Sequence, residues 1–498
     1  MVIIRFTGGD GAPWWTLDVV GFNTNDSSIH DSGCAWLHQH FDDKYPTMFW
    51  ITNSYGLTTA TMFTLFFAGD TYAPGINAQY SNGTEVTIQT FLQGYYLDFI
   101  DVVAQTVKEK WNVLGFNSMN EPIQGYVGLS DLRMSILPIP LGYVQSAFDG
   151  MRLSSGETIN IHFYSSIFRF DKTISVNQKG TIPWKSPEHD IWQKLGIYNI
   201  QKETGERILL KPDYFKFDGI FENEFLVPFF EKLRNVITKH NDRFILYAEP
   251  QVTDKIHFAP HKLDVNKYAW SPHWYDVCIL MLKRFVPWLS IRVDMFLPII
   301  GSNFIDMAFE KNLQLLKESA NNLHVIVGET GIPFDLVSSK KDKYEDAKKA
   351  LDRTLRAFEA INLEYILWNY KHDTNDVDGD GWNKENFSVR ANNANRGISI
   401  ISRPYVYMYD DYLDIVSQTF EIVTQQYRLK IRLSETESEV WSPDEVKLFV
   451  YIPDIHFKHL AIETSSGTIG RDVESQTVIW TLPKSNLACY TLEIIKTS

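Results

Sequence analysis

The sequence predicts an α/β chain built on parallel strands and closed by an all-β segment. Three observations carry that expectation. Short apolar runs recur between longer stretches of helical periodicity. Two of these runs, at 113–116 and 325–327, lead straight into glutamates, at Asn120-Glu121-Pro122 and Gly328-Glu329-Thr330. From about Thr419 the helical periodicity stops and apolar residues alternate with polar ones. An apolar run bounded by turn residues reads as a strand buried on both faces. A carboxylate at the C-terminal mouth of such a strand lies where parallel α/β barrels place their chemistry.

The segment holding Trp14, Trp15, His38 and His40 reads as a loop from its Asn, Asp, Ser and Gly content. A His pair can hold a metal, but no third ligand stands in register with it. Residues 58–68 read as a buried helix. Residues 99–111 read as an amphipathic one, with Ile100, Val103, Val107 and Trp111 on one face. That helix leads into the strand ending at Glu121, where Pro122 cannot continue the ladder. The stretch 122–242 far exceeds an ordinary strand-to-helix connection. It holds a strand-like run at 161–170 and the tryptophan-rich TIPWKSPEHDIW at 181–192. A helix at 225–239 and a strand at 244–250 follow. This strand also ends in a carboxylate, Glu249. Without a preceding Asn or a Gly-Glu context, Glu249 is expected at the rim or in substrate binding at most.

The next strand, 268–276, carries His273 and Tyr275, which share one face because they are two apart. After the strand ending at Glu329, Gly331 and Pro333 stop the ladder. A helix at 344–361 and a last strand at 365–370 (YILWNY) follow, and Trp368 lies in the latter. The loop 372–388 mimics the start of a calcium loop with Asp376, Asp378, Asp380 and Gly381. Its twelfth position is Phe387 instead of Glu, and Glu385 falls two short. Beyond it, Tyr427, Leu429, Ile431 and Leu433 alternate with polar residues. So do Val446, Leu448 and Val450, then Val478, Trp480 and Leu482, then Tyr490, Leu492 and Ile494. That rhythm predicts a β-sandwich.

Composition sets the outer limits. Hydrophobic residues make up 44% and aromatic ones 14%, enough for a large core. A formal net charge of −14 argues against a nucleic-acid partner, which needs a basic surface, and against simple electrostatic docking to an anionic membrane. Cys34, Cys278 and Cys489 are odd in number and widely spaced, which favours a reducing compartment. No run reaches the ~18–20 apolar residues of a membrane helix, and MVIIRFTGG offers no signal-peptide apolar region. A cytoplasmic location is the expectation, with a vacuole or lysosome as the alternative. Oligomeric state is not legible in the sequence.

Two glutamates on different strands of one barrel suggest glycoside hydrolysis. In the retaining form one carboxylic acid protonates the leaving oxygen. The other, about 5–5.5 Å away, attacks the sugar carbon. A single Glu after a strand is an ordinary strand-end charge. Two such positions, one with Asn directly before it, point further. An Asn amide can hold the sugar 2-OH, a contact that strengthens in the transition state.

The motifs resemble glycoside hydrolase family 5, and within it the endoglycoceramidase-related branch of glucosylceramidases and steryl β-glucosidases. The resemblance covers RFTGGDGAP at 5–13, TMFTLFFAGD at 61–70 and both glutamate motifs. It extends to SPHWYD at 271–276, LWNY at 367–370, GDGWNKENFS at 379–388 and SRPY at 402–405. It implies a (β/α)8 TIM-type barrel with a C-terminal β-sandwich, expected at 1–415 and 416–498, with the insertion at about 123–242. In the family, two strands, an Arg and a His precede the glycine-rich stretch. Here Met1 to Ile4 stands in that place, so the barrel's first strands are expected to be missing from this sequence, and six strand candidates remain.

By the same resemblance Glu121 is the acid/base and Glu329 the nucleophile. Asn120 holds the 2-OH, His273 and Tyr275 lie beside the nucleophile, and Trp368 floors the sugar site. Trp382 and Asn383 face substrate, with Asp380 and Glu385 as weaker nominations. The implied substrate is a glycolipid such as glucosylceramide or a steryl glucoside, reached by transient contact with a membrane surface and cleaved without a cofactor. The alternatives are an endoglucanase acting on β-glucan and an inactive truncated relative that binds glycolipid. The insertion is expected either to shape the lipid side of the cleft or to form a structural flap without substrate contact.

Overall fold

The computed structural model describes residues 12–25, 27–35, 56–135, 142–166, 169–252, 256–292, 297–338, 343–380, 385–409, 413–433, 445–483 and 489–497. The chain divides into two compact units. One comprises Met1–Ser271, Asn321–His324 and Gly381–Glu385. The other comprises Pro272–Ala320, Val325–Asp380 and Asn386–Ser498. Among the described residues, no helix is long and apolar enough to cross a membrane.

In the first unit, three parallel strands form a sheet: Gly115–Asn117, Ile245–Ala248 and Tyr268–Trp270. Ile245–Ala248 is central, pairing Leu246 with Phe116 on one side and with Tyr268 on the other. Leu246, Ala248 and Trp270 are buried. The strands approach so closely that a Cβ on Gly115 would sit 1.9 Å from the Ile245 carbonyl oxygen, so only glycine fits. The helices Leu57–Tyr72, Ile88–Val107 and Val227–Thr238 belong to this unit. Phe66, Tyr96 and Phe229 join them edge to face, with ring centroids 5.1–5.9 Å apart.

Several expectations are corrected here. The strand before Glu121 is not buried on both faces: Gly115 and Phe116 are half-buried and Asn117 is exposed. Leu114, just before it, is 66% exposed. The helix leading to it starts at Ile88, where Thr87 accepts from the Thr90 amide, and ends at Val107. Its buried side is Phe91, Leu92, Ile100 and Ala104. Trp111 lies beyond the helix and is 86% exposed, so it does not continue that face. Trp14 and Trp15 open a helix, Trp14–Val20, instead of lying in a loop. Thr16 Oγ1 donates to the Pro13 carbonyl at 2.6 Å, and Gly21 at φ 108 ends it in the left-handed conformation that glycine tolerates. His38, His40 and the strand candidate at Met1–Ile4 lie outside the described residues.

The insertion is built as a structure of its own. Gly142–Val144, Ile159–Ser166 and Arg169–Val176 form an antiparallel sheet, so the run at 161–170 is a hairpin and not one strand. Trp184 stacks on Phe22 at 4.1 Å. Trp192 is fully buried, and its indole N–H donates to Thr61 Oγ1 at 2.9 Å. These two tryptophans are core residues.

In the second unit, His324–Thr330 pairs in parallel with Glu364–Leu367. Five of the six strand candidates are therefore parallel strands in the two units. Helix Glu345–Ala360 buries Ala347, Ala350, Leu351 and Leu355 against Ile332, Phe334 and Val389. Two antiparallel four-stranded sheets follow. One runs Tyr405–Tyr409, Glu445–Tyr451, Thr477–Pro483, Thr468–Asp472. The other runs Leu413–Glu421, Gln426–Leu433, Cys489–Lys496, Leu460–Thr464. Alternate residues of both fill one core. Tyr427, Leu429 and Ile431 face Ile494, Leu492 and Tyr490, while Val446, Leu448 and Val450 face Leu482, Trp480 and Val478. These sheets begin at Tyr405, and position 415/416 falls inside a strand. Arg403 fastens them to the preceding helix. Its guanidinium binds Asp352 at 2.7 Å, both oxygens of Glu359, and the Phe420 carbonyl at 2.9 Å.

Candidate active site

In the first unit the candidate residues stand where the parallel strands end. Ser118 follows Gly115–Asn117 and donates its amide to the Tyr247 carbonyl at 2.9 Å. The pairing then continues through side chains. The Glu249 amide donates to Ser118 Oγ at 3.0 Å, and the Glu121 amide donates to Glu249 Oε1 at 2.6 Å. The Val252 amide donates to the Pro122 carbonyl at 3.2 Å. Tyr96 Oη donates to the Ser118 carbonyl at 2.8 Å, and burial together with the Glu249 charge pushes this phenol well above its usual range. Glu121 has φ 46 and its side chain is half-buried, while Asn120 is exposed. A non-glycine residue in the left-handed region costs on the order of 1–2 kcal/mol. A charge-assisted hydrogen bond, worth about 1.5–3 kcal/mol, is of the size needed to offset that.

Glu249 is thus not a rim residue. It is 1% exposed and lies behind Glu121. Near it, Glu222 pairs with His257 Nδ1 at 2.6 Å and accepts from Gln251 Nε2 at 3.0 Å. Burial opposes the charge on Glu222, but His257 and Gln251 outweigh it and hold the carboxyl below its ordinary range. This pair lines a hollow of about 340 Å³ with Ile220, Ile256, Phe258 and Pro260.

In the second unit the centre is Glu329, near the end of His324–Thr330. Tyr275 Oη donates to Glu329 Oε1 at 2.5 Å, and His273 Nδ1 lies 3.9 Å from the same oxygen. The expected strand at 268–276 ends at Trp270. His273 keeps an isolated parallel bridge to Glu329, and the Trp274 amide donates to the Glu329 carbonyl at 3.0 Å. The two side chains meet one carboxylate through that bridge. Trp368 follows strand Glu364–Leu367, with its amide on the Thr330 carbonyl at 2.7 Å. A Cβ on Gly331 would sit 2.1 Å from the Trp368 carbonyl oxygen, which explains the glycine two residues past Glu329.

Asp380 is buried, and its carboxylate accepts from Thr374 Oγ1 at 3.0 Å, the Phe387 amide at 2.7 Å and Asn369 Nδ2 at 3.2 Å. The Phe387 ring meets Tyr275 edge to face at 5.8 Å. Asp380 therefore supports the neighbours of Trp368 and Tyr275 instead of facing substrate. Asp376 holds Arg396 at 3.1 Å and accepts from Tyr344 Oη at 2.6 Å, so these carboxylates are committed to protein donors. Trp382 and Asn383 lie outside the described residues. Sequence reasoning missed Ser118, Tyr96 and Phe387, which carry no chemical signature and matter through register and packing.

No family model matches the chain. An ergosteryl-beta-glucosidase of Saccharomyces cerevisiae is 30% identical over 453 residues, covering 77% of this chain and 58% of the relative. A glucosylceramidase of Rhizopus delemar is 27% identical over 498 residues, covering 90% and 69%. The chain thus spans less than two thirds of the yeast relative. The crystal structure of Cryptococcus neoformans sterylglucosidase 1 superposes with a TM-score of 0.85 at 24% identity, over 99% of this chain and 80% of that one. Endo-glycoceramidase II from Rhodococcus sp. superposes with a TM-score of 0.52 at 11% identity, over 99% and 75%. These neighbours are glycoside hydrolases of the TIM-barrel fold, and the likeness is one of fold.

Proposed function

We propose that the chain is a member of the glucosylceramidase and steryl-glucosidase branch of glycoside hydrolase family 5 and a retaining β-glucosidase that releases glucose from a glycolipid. The observation that carries this reading is the Glu329 carboxylate, held at one oxygen by the Tyr275 hydroxyl. A donated hydrogen bond favours the ionised form and orients the carboxylate for attack.

In the proposed reaction a Glu329 carboxylate oxygen bonds to the anomeric carbon as the bond to the leaving oxygen breaks. Glu121 gives its proton to that oxygen, and the lipid alcohol departs. Water then adds from the same side. Glu121 takes its proton, the ester to Glu329 breaks, and β-glucose leaves. Asn120 holds the 2-OH, Trp368 packs under the apolar face of the ring, and His273 lines the nucleophile's side. The two antiparallel sheets are read as the accompanying sandwich. The insertion contributes Ile220, Glu222 and the hollow they line to the lipid side.

The test is covalent trapping. A 2-deoxy-2-fluoroglucoside with an activated leaving group should label the peptide bearing Glu329, and Glu329→Gln should abolish both labelling and turnover. Label on another residue, or activity retained in Glu329→Gln, overturns the assignment. Rates on a steryl glucoside, glucosylceramide and soluble β-glucan assign the leaving group. Cleavage of glucan alone favours the endoglucanase reading.

A further inference from the structure

We propose that Glu249 is a positioning residue that holds the main chain of Glu121 in the conformation from which its carboxyl delivers a proton. The inference rests on the reading of Glu121 as the acid/base. Three observations carry it. Glu121 has a left-handed backbone, φ 46, although it is not glycine. Its amide, which no strand pairing uses, donates to Glu249 Oε1 at 2.6 Å. Glu249 is almost wholly buried, and its own amide is fixed on Ser118 Oγ at 3.0 Å.

The parallel ladder runs from Gly115 to the Ser118 amide and is met again at the Pro122 carbonyl. Between these points the segment turns to present Asn120 and Glu121. The link across that gap is a carboxylate, which binds an amide more strongly than a neutral acceptor does. A buried carboxylate spent on a main-chain amide beside a reacting group is costly as mere packing, since an apolar side chain would fill the same space. It is sensible as a clamp. A proton donor displaced by about 1 Å can lose on the order of a hundredfold in rate.

The readout that separates positioning from general structural damage is the leaving group. A clamp on the acid matters when the departing oxygen needs a proton. It matters little for dinitrophenolate, which leaves without one. We expect Glu249→Ala to lower kcat/KM by roughly ten- to a hundredfold on an alkyl or steryl glucoside and by less than about threefold on 2,4-dinitrophenyl β-glucoside. Glu249→Gln keeps an acceptor oxygen and should lose less than Glu249→Ala on the alkyl glucoside. Equal loss on both substrates, or none in Glu249→Ala, overturns the proposal. Should Glu249→Ala fail to fold, Ser118→Ala removes the acceptor that fixes the Glu249 main-chain amide and so loosens the residue that carries the carboxylate. It should show a smaller loss with the same leaving-group dependence, and equal losses on both substrates would count against the clamp. Glu121→Gln is the reference. If it shows no leaving-group dependence, the acid/base assignment fails, and not the clamp.

Discussion

Replacing Asp276 with Asn removes a carboxyl group that the fold holds out of water beside Tyr275. Asp276 caps helix Val277–Leu282, accepting from the Ile279 amide at 3.2 Å. Burial pushes its carboxyl from 3.8 up to about 6, against the opposing pull of the Ile279 and Cys278 amides and the Arg353 charge. Because the folded value is raised, the native state holds the proton more tightly than the unfolded chain does. The resulting stability is fully present below pH 3.8 and is lost as pH rises through about 6. Two pH units at 1.36 kcal/mol each set the loss at about 3 kcal/mol. Asn caps a helix as well as Asp does and is neutral at every pH. Asp276→Asn should therefore match the wild type near pH 4 and exceed it by up to about 3 kcal/mol near pH 7.5. Urea unfolding followed by tryptophan fluorescence at pH 4, 5.5 and 7.5 measures this difference. A difference that does not change with pH, or a variant less stable at pH 7.5, would refute the argument that the buried carboxyl charges at a cost.

Tyr275→Phe deletes the hydroxyl on Glu329 Oε1. A hydrogen bond to a charged group is worth about 1.5–3 kcal/mol, so kcat/KM on a lipid glucoside should fall roughly ten- to a hundredfold. Steady-state kinetics within twofold of wild type would contradict it. Asp380→Ala leaves the Thr374 hydroxyl and the Phe387 amide without their acceptor. It should lower stability by about 2–4 kcal/mol in urea unfolding and lower kcat/KM more than Asp380→Asn does, since Asn keeps one acceptor. Arg403→Met strips the mostly buried Glu359 carboxylate of its guanidinium and leaves Asp352 with Arg356 alone at 3.4 Å, at a cost of roughly 3–5 kcal/mol in urea unfolding. Burial already raises the Glu359 carboxyl. Adding Glu359→Gln to Arg403→Met should therefore recover part of the loss, and a strictly additive double variant would argue against coupling.

The sheets after Arg403 were the most legible part of the chain. Strict alternation leaves one arrangement that buries Tyr427, Leu429 and Ile431 together, and the register pairs them with Ile494, Leu492 and Tyr490. Helix ends were harder. The helix ending at Val107 begins eleven residues before the periodicity suggested, because its first turn is set by the Thr87 cap. Asn386 forms a glycosylation sequon in the sequence, yet it is buried in the fold. The insertion's tryptophans carry no signal of their role in the sequence, and Trp184 and Trp192 are spent on the core.

The sequence by itself determined that Glu121 and Glu329 follow strands, that His273 and Tyr275 share one side of their segment, and that an alternating β segment runs from about Thr419, while the family resemblance placed His273 and Tyr275 beside Glu329. These follow from local period, from turn residues and from motifs whose spacing survives without tertiary information. Tertiary structure decided the role of Glu249 and of Asp380. Both are carboxylates in suggestive places, and both had been expected at the rim or facing substrate. Each instead accepts from backbone amides, at Glu121 and at Phe387. The physical reason is that a carboxylate's task is set by its nearest donors. For Glu249 that donor lies 128 residues away in sequence, and for Asp380 it comes from the far side of its own loop, so only folding brings either within 3 Å.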